Sequence, residues 1–405
     1  MTTPRILISG GSVAGPALAF WLNERGWATT VVERFDALRD TGQNIDIRGA
    51  AREVVRRMGL EDAVRAASTG ELGTEFVGAD GRVLASFPAG RSDSDGPTAE
   101  LEILRPELSL LLYERTRERT EYVFGDRIEA LDEQDDGVTI TFRHGRPRTF
   151  DVVVIAEGFR SRTRSLLFPD PDIRDLGVYI AYLTVPRRDA DTDWWRWYNA
   201  PRGRVVSLRP DNQGTTRALL SFRSDVRGLD ELAPADQARI LRSTFRDAGW
   251  ETPRVRDALD EDTLYFDALG QVRLPAWSRG RVGLVGDAAY CPSAVSGMGT
   301  SVALVGAYVL AAELAAAGDH RGFTRYEAAL RPYVERAQKL PPGTPRLAHP
   351  RSRAGVAVLR AAMRLAGSPP VKRLSSLSGG VFAPAAEQLD LSRYPVSSEG
   401  VWRSD

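Results

Sequence analysis

Cysteine and histidine are scarce in this chain of 405 residues, and their scarcity excludes several kinds of chemistry. Cys291 is the only cysteine, so an intrachain disulfide and a cysteine-based metal cluster are excluded. His144, His320 and His349 lie far apart, without the short-spaced pairs that mark zinc sites. We therefore expect no metal and no thiol chemistry.

The chain also has no excess of charge of either sign. Lys and Arg together number 54, as do Asp and Glu, and Lys339 and Lys372 are the only lysines. A balanced chain does not attract nucleic acid or an anionic membrane by charge, so we expect no nucleic-acid partner. Residues 1–7 lead into a strand rather than a signal peptide, and no uninterrupted apolar run approaches the roughly 20 residues of a membrane span. We expect a cytoplasmic protein without an integral membrane segment.

The N-terminal residues have the pattern of a strand, a helix and a second strand. The apolar run 5–9 ends in Gly10 and Gly11, which predicts a buried strand entering a tight turn. Apolar residues recur at helical spacing through 13–25, and Gly26 follows as a natural helix end. The run 29–33 predicts a second buried strand. Together they form a βαβ unit of the length that a dinucleotide-binding motif needs.

The turn between this strand and helix carries a phosphate-binding pattern. In the Gly-x-Gly-x-x-Gly fingerprint, the glycines allow a tight turn, a close approach to a pyrophosphate and close packing of helix on strand. Gly10 and Gly15 occupy the first and third positions, and the small Ser12 occupies the second. With Val13 and Ala14 they open the helix, whose first N–H groups and dipole would hold phosphates.

Glu33 supports this assignment because it ends the second strand, 18 residues after Gly15. A carboxylate at that position can accept hydrogen bonds from both hydroxyls of an adenosine ribose. The same carboxylate would repel a ribose phosphate, so the site suits FAD or NAD better than NADP. The alternative is a solvent-exposed glutamate at a strand end.

A second motif, at residues 285–299, distinguishes FAD from NAD. A strand ends at Asp287, and a glycine-rich turn with Gly297 and Gly299 opens an apolar helix. Asp287 can bind a hydroxyl of a ribityl chain, and the N–H groups near Thr300 can face the flavin pyrimidine edge, where reduction leaves negative charge. This segment predicts FAD as the cofactor, and it is more specific than the first motif.

The residues between these motifs predict a second, mainly β, region. From about 177 to 270, strand-like runs alternate with Pro, Gly and Asn, which suggests a mainly antiparallel sheet. We therefore predict a mixed α/β (α+β) fold: a Rossmann-like FAD-binding domain, an inserted mainly antiparallel β-sheet substrate domain, and C-terminal helices. The segments would be 1–73, 98–176 and 271–345 for the FAD-binding domain, 74–97 and 177–270 for the substrate domain, and 346–405 for the C-terminal helix and tail.

Three motifs in a fixed order resemble one known family over about residues 4 to 340. They are the βαβ unit ending in Glu33-Arg34, Ala156-Glu157-Gly158 with Ser161 and Arg164, and Gly286-Asp287 with Gly297-x-Gly299. The family is the class A, para-hydroxybenzoate-hydroxylase-like FAD monooxygenases, and the chain looks most like members that act on aromatic polyketides, tetracyclines and similar polycycles. Glu157 stands where the family normally has Asp, and Tyr290 stands where many members have His.

The resemblance implies further site residues. Arg105 would reach the phosphate–ribityl region of FAD, and Arg34 and Glu157 would contribute to cofactor binding. Asp46 and Arg48 would lie beside the flavin on the substrate side, where Arg48 could stabilise a phenolate or enolate; the alternative is an exposed strand of alternating charges. Candidate substrate residues are four aromatic side chains, which could equally belong to a core: Tyr179, Trp195, Trp197 and Tyr290.

The resemblance also implies the reaction. NADPH or NADH would reduce the flavin, O2 would add to it as a C4a-hydroperoxide, and one oxygen atom would pass to an aromatic or polycyclic small molecule. No second Gly-rich βαβ fingerprint is present, which argues against reductases with two dinucleotide-binding folds. We expect a monomer or homodimer. The alternatives are an FAD oxidoreductase that dehydrogenates its substrate, a Baeyer–Villiger or epoxidising enzyme, and a flavin-binding redox sensor.

Overall fold

The computed structural model describes residues 3–40, 42–89, 101–261, 263–368 and 389–394. Residues 90–100 and most of the tail beyond residue 368 lie outside these ranges. The predicted segment 74–97, the start of 98–176 and the irregular tail therefore fall partly outside the described residues. Within the described ranges, strands form four sheets, and helices cover two of them.

The strands of the described residues follow the chain in this order: β1 Arg5–Ser9, β2 Ala28–Glu33, β3 Asn44–Ile47, β4 Gly73–Val77, β5 Val83–Pro88, β6 Leu101–Leu104, β7 Thr120–Phe124, β8 Ile128–Glu133, β9 Val138–Phe142, β10 Arg148–Phe150, β11 Val152–Ile155, β12 Ile173–Pro186, β13 Trp195–Ala200, β14 Arg204–Pro210, β15 Thr215–Arg223, β16 Tyr265–Val272, β17 Ser278–Arg279 and β18 Val282–Leu284. The α-helices are α1 Ala14–Asn23, α2 Ala50–Arg57, α3 Glu61–Ala66, α4 Arg105–Thr116, α5 Thr163–Leu167, α6 Pro234–Thr244, α7 Thr252–Asp257, α8 Asp287–Tyr290, α9 Gly299–Ala317, α10 Gly322–Ala337 and α11 Arg353–Ala366.

A six-stranded sheet forms the centre of the first domain. Its strand order is β17-β18-β11-β1-β2-β7, and every pair is parallel except β17 with β18. The apolar runs of β1 and β11 are fully buried because helices and neighbouring strands cover both faces. Since β1, β11 and β18 run in the same direction, their carboxyl ends meet at one edge of this sheet. The loops that follow them carry the three motifs.

A seven-stranded sheet, of order β16-β12-β15-β14-β13-β4-β5, forms the second domain. All its pairs are antiparallel except β13 with β4. One face packs against α6 and α7 through Leu241, Phe245 and Val255. Only strand-like runs were predicted within 177–270, so these two helices were missed. The predicted fold class, a Rossmann-like domain with an inserted antiparallel sheet, is confirmed.

Helix α9 is the longest described helix and runs through the core of the first domain. By length and composition alone it could cross a membrane. Its residues are nevertheless mostly buried, and it packs against α1, α2 and α10. Because the core helix of a globular protein passes the same test, α9 is weak evidence for a membrane span.

The segment that leads into α11 is tied to the seven-stranded sheet by buried hydrogen bonds. The imidazole Nε2 of His349 lies 2.8 Å from the Ser221 hydroxyl, and Nδ1 lies 3.2 Å from the carbonyl oxygen of Pro345. Asn199 donates from Nδ2 to the Ala348 carbonyl at 2.7 Å. Burial lowers the pKa of His349 from 6.5 to about 4, so the ring is neutral at physiological pH.

This contact predicts a loss of stability in acid. The unfolded chain takes up the imidazole proton near its ordinary pKa of 6.5, whereas the folded protein resists protonation until about pH 4. The contribution of neutral His349 to the free energy of unfolding should therefore be complete above pH 6.5. It should fall by up to about 3 kcal/mol as the pH drops through 4. Urea unfolding between pH 7.5 and 4.5 measures it. His349→Gln should flatten this dependence, whereas replacement of the exposed His144 by Gln should leave it intact.

Candidate active site

In the turn between β1 and α1, backbone atoms approach two positions so closely that only glycine fits there. Gly10 has φ +117°, and a Cβ there would lie 2.4 Å from the carbonyl oxygen of Ala156 on the neighbouring loop. A Cβ on Gly15 would lie 1.9 Å from the carbonyl oxygen of Gly10. Helix α1 then begins at Ala14 without a side-chain cap at Val13. Its first N–H groups have no intrahelical acceptors and are suited to a pyrophosphate.

Glu33 lies beside this turn, as predicted for a residue that holds adenosine. Its Oε2 accepts a hydrogen bond from the N–H of Gly11 at 2.7 Å, which places the carboxylate beside the glycine-rich loop. Ser12 contacts the hydroxyl of Ser109 in α4, at 3.2 Å. A surface cleft of about 390 Å³ opens directly beyond Glu33 and is lined by Arg34, Phe35, Gly125, Asp126, Arg127, Arg143 and His144.

Asp287 and the start of α9 lie close together at the same sheet edge. Gly286, at φ +66°, turns the chain after β18, and Asp287 opens α8. A Cβ on Gly299 would lie 3.8 Å from Oδ1 of Asp287. Gly297 adopts the left-handed conformation just before α9, and Thr300 lies in the first turn of that helix. Burial raises the pKa of Asp287, and hydroxyl donors from a ribityl chain would stabilise its charged form.

Two buried glutamines fix the loop between Asp287 and α9. Gln338 donates from Nε2 to the carbonyls of Val272 at 2.7 Å and Tyr290 at 3.1 Å. Gln271 donates to the carbonyl of Pro292, also at 3.1 Å. These contacts hold the loop against the end of β16, and they have no signature in the local sequence.

Two arginines converge on the ring of Tyr265, at the start of the edge strand β16. The guanidinium of Arg39 lies 5.6 Å from the ring centroid of Tyr265, and that of Arg105 lies 5.8 Å from it. Burial lowers the pKa of Arg39, and the charge of Arg105 lowers it further. The positive charges of the two guanidiniums repel each other, and an anion such as a pyrophosphate would stabilise both.

The carboxylate of Glu157 accepts hydrogen bonds from groups within the protein. It accepts hydrogen bonds from Ser9 Oγ at 2.6 Å, Ser161 Oγ at 2.8 Å, and both Thr163 Oγ1 at 2.5 Å and the Thr163 N–H at 3.1 Å. The side chain therefore ties the ends of β1 and β11 to α5. These hydrogen bonds position the loops at this edge of the sheet, and direct cofactor binding by Glu157 stays a prediction.

The face of the seven-stranded sheet opposite α6 and α7 presents a row of aromatic side chains. Trp197, Ser207, Leu219 and Tyr182 are paired neighbours across β13, β14, β15 and β12, so their side chains share this face. Tyr265 continues the row on β16. The Trp195 ring stands 4.9 Å from that of Trp197. We call Trp195, Trp197, Tyr182 and Tyr265 the aromatic floor.

One end of the aromatic floor meets a buried group of five charged residues, which we call the inner ion cluster: Asp46, Arg48, Glu71, Glu102 and Arg209. Arg48 pairs with Asp46 at 2.9 Å, and its backbone N–H donates to Ser301 in the first turn of α9. Arg209 pairs with Glu102 at 2.7 Å, with Asp46 at 3.4 Å and with Glu71.

The inner ion cluster joins the two domains. The Arg209 guanidinium lies 4.3 Å from the ring centroid of Trp195, a cation–π contact that fixes the end of the floor. Asp46 lies on β3, which pairs with β6, and Arg48 directly follows β3, whereas Arg209 lies on β14. The cluster therefore spans from the start of α9 to the aromatic floor.

These residues fit a bound FAD. The glycines leave room where a Cβ would collide with backbone, and Asp287 lies beside the helix start that can face a flavin. Residues 3–340 match a family model described as FAD binding domain. The chain is a flavin-dependent monooxygenase of this FAD-binding family.

Individual relatives agree with this assignment. The flavin-dependent monooxygenase eupH of Phoma sp is 35% identical and covers 98% of this chain and 98% of its own length. A flavin-dependent monooxygenase from an unidentified prokaryote is 38% identical, covering 83% of this chain and 88% of its own. The crystal structure of tetracycline destructase Tet(55) superposes with a TM-score of 0.74 at 33% identity, over 90% of this chain and 97% of that one. The predicted family and the predicted cofactor FAD are confirmed.

Two predicted substrate residues of the monooxygenase lie in cores instead. Tyr179 faces α6 and α7, where its ring stacks near Phe222 and its hydroxyl donates to the carbonyl of Val226. Tyr290 is buried between Trp277 and α9, with its hydroxyl accepting from Tyr326 at 2.8 Å. The structure therefore contradicts a substrate role for either residue. Trp195 and Trp197, in contrast, are half-buried on the face away from these helices, and their role remains a prediction.

Asp287 allows a direct test of the cofactor site. Asp287→Ala removes the carboxylate beside the α9 start, so we expect at least a tenfold weaker FAD affinity, since a charge-assisted hydrogen bond contributes about 1.5–3 kcal/mol. Flavin fluorescence titration of the FAD-free protein gives the dissociation constant. Asp319→Ala, which changes a carboxylate at the far end of α9, should bind FAD as the wild type does. Equal affinities for both variants would remove Asp287 from the cofactor site.

Proposed function

We propose that this monooxygenase uses NADPH or NADH and O2 to hydroxylate an aromatic or polycyclic small molecule lying on the aromatic floor. The observation that carries the proposal is the position of the floor: its Tyr265 end lies beside Arg39 and Arg105, and its Trp195 end meets the inner ion cluster, which reaches the start of α9. A flat ring system gains most from contact with indole and phenol rings. The likeness to tetracycline destructase supports a polycyclic substrate.

Bound FAD would supply the reduction and oxygen-transfer chemistry. Asp287, Gly299 and Thr300 would hold the flavin, while Gly10, Ser12, Val13, Ala14 and Gly15 would hold the pyrophosphate, with Glu33 and Arg34 at the adenosine end and Arg39 and Arg105 nearby. N–H groups at the start of α9 stabilise negative charge at the helix N-terminus.

Asp46 and Arg48 would act on the substrate end that meets the inner ion cluster. Asp46 pairs with the guanidinium of Arg48, and Ser301 accepts a hydrogen bond from the Arg48 backbone N–H, so the side chain can hold a fixed orientation toward a substrate hydroxyl. A guanidinium there would stabilise negative charge that develops on the substrate oxygen during attack by an electrophile. Ile180, Val205 and Leu219 surround the floor with apolar surface, which excludes water from the reacting atoms.

We further propose that the enzyme works in the cytoplasm, where its nicotinamide donor is available, as a monomer or homodimer. Gel filtration with light scattering distinguishes these two assemblies from higher oligomers.

Labelled oxygen tests the reaction most directly. The FAD-loaded enzyme, given NADPH or NADH, ¹⁸O2 and a panel of polycyclic phenols, should form a product that contains one ¹⁸O atom for each nicotinamide oxidised. Oxidation of the substrate without ¹⁸O would instead identify a dehydrogenase. An oxygen inserted into a ring C–C bond or added across a double bond would identify Baeyer–Villiger or epoxidising chemistry. Absence of any turnover with bound FAD would favour a redox sensor.

Neighbouring residues of β13 should differ in their effect on substrate binding, because only one of them faces the aromatic floor. Trp197→Leu removes ring contact, so we expect KM to rise about tenfold or more, in line with the roughly 1–3 kcal/mol that a buried aromatic contact contributes. Tyr198→Phe alters the next residue, which faces α6 and α7, and KM should not change. Steady-state kinetics on both purified variants measures the difference. A larger rise in KM for Tyr198→Phe would place the substrate elsewhere.

A further inference from the structure

The charge of this chain is balanced over its whole length but not within its C-terminal part. Between Glu335 and Glu387 the sequence contains no Asp or Glu. Within the described part of that stretch, residues 336–368 carry seven cations: Arg336, Lys339, Arg346, Arg351, Arg353, Arg360 and Arg364. The balanced total therefore conceals a basic segment, which an anionic surface would attract locally.

Helix α11 lies in this segment and presents an apolar stripe to solvent. Ala354, Ala357, Val358, Ala361 and Leu365 recur at intervals of three and four residues, so they share one face of the helix. All five are exposed, Val358 by 69% and Leu365 by 65%. A single exposed aliphatic side chain needs no explanation, but a row of them along one helix marks an interaction surface.

A row of arginines follows one edge of this apolar stripe. Arg353, Arg360 and Arg364 are spaced by seven and four residues, which places them on one side of the helix, next to the stripe. Arg353 and Arg364 are exposed. Cations beside an apolar stripe are typical of a helix that lies in the interface of an anionic bilayer, because long arginine side chains reach the headgroups while the stripe enters the apolar layer.

The opposite face of α11 holds the helix on the second domain. Val356 is buried, and α11 packs against β5 and β13. Arg360 donates to the carbonyl of Asn199 at 3.1 Å, and its guanidinium lies 5.8 Å from the ring centroid of Tyr198. The helix is thereby fixed with its apolar stripe facing outward.

The segment that leads into α11 brings further cations close together. Arg346 and Arg351 are exposed, and Arg351 pairs with the exposed Asp225 at 2.7 Å. Burial lowers the pKa of Arg223, and the charges of Arg351 and Arg346 lower it further, whereas Asp225 raises it. The guanidiniums are thus close enough to repel one another, and an anionic surface would relieve that repulsion.

We propose that α11 docks this protein on an anionic lipid surface, with the apolar stripe among the acyl chains and the arginine row at the headgroups. A second copy of the chain fits this face less well, since the contact would bring two basic segments together. The docking does not depend on the proposed function. It would hold the second domain against a bilayer, in which apolar ring compounds dissolve.

Vesicle co-sedimentation with the FAD-loaded enzyme tests the docking. Sucrose-loaded vesicles of phosphatidylcholine alone, and of equal parts phosphatidylcholine and phosphatidylglycerol, separate apolar insertion from charge. We expect a partition coefficient at least about thirtyfold higher on the phosphatidylglycerol vesicles at low salt, and a fall in this ratio as the salt concentration rises.

A double replacement tests the apolar stripe. Val358→Ser with Leu365→Ser should lower the partition coefficient on phosphatidylglycerol vesicles at least about tenfold. Leu110→Ser with Val226→Ser makes the same chemical change at positions that are 50% and 60% exposed elsewhere, and should leave the coefficient unchanged. Because all four side chains are exposed, both variants should keep the wild-type flavin absorption and circular dichroism.

A second double replacement tests the arginine row. Arg353→Gln with Arg364→Gln should lower the ratio of the two partition coefficients about tenfold toward one. Arg117→Gln with Arg239→Gln lowers the net charge by the same amount at exposed arginines outside the basic segment. That control should retain the wild-type ratio.

Several results would overturn the inference. Equal partition on both kinds of vesicle, or none on either, would remove the anionic lipid surface as the partner. An equal loss in a variant and in its matched control would show that α11 does not decide the binding. A dimer in sedimentation velocity that dissociates in Val358→Ser with Leu365→Ser would assign the stripe to a second copy. Tighter binding of polyglutamate than of phosphatidylglycerol vesicles would assign the arginine row to an acidic protein.

Discussion

The meeting of three parallel strands at one sheet edge is the constraint on which the rest of this structure depends. Strands β1, β11 and β18 are buried on both faces, so polar residues can follow them only at their ends. The turn after β1 can approach its neighbour because Gly10 and Gly15 have no side chain. Glu157 then joins two of these ends by hydrogen bonds to Ser9 and Thr163. The cofactor site follows from this arrangement.

The second domain contributes a surface rather than reactive groups. Its seven-stranded sheet is covered by helices on one face, and on the other it presents the aromatic floor. The inner ion cluster fixes the floor relative to the start of α9, since Arg209 contacts both the carboxylates of the first domain and the Trp195 ring. A buried group of salt bridges contributes less to the free energy of unfolding than apolar packing of equal volume would. Its role here is to orient the aromatic floor relative to the start of α9.

The sequence predicted the parts of the site that depend on local patterns. The βαβ unit, Glu33 and Asp287 could be identified because strand, turn and helix signals follow each other within a few tens of residues. Tyr179 and Trp197 could not be distinguished, because both faces of their sheet are buried or half-buried and alternation alone does not say which face packs on helices. Tyr290 was assigned to the substrate site because the motif gives its position in the chain but not the direction of its ring. The inner ion cluster joins residues 46, 71, 102 and 209, which no local pattern connects.

A crystal structure of the enzyme with FAD and a bound polycyclic phenol would test the central claim most directly. We expect the adenosine beside Glu33, the flavin between Asp287 and the start of α9, and the phenol ring against Trp197 and Tyr182. A ring bound elsewhere, with the aromatic floor in contact only with water or protein, would contradict it.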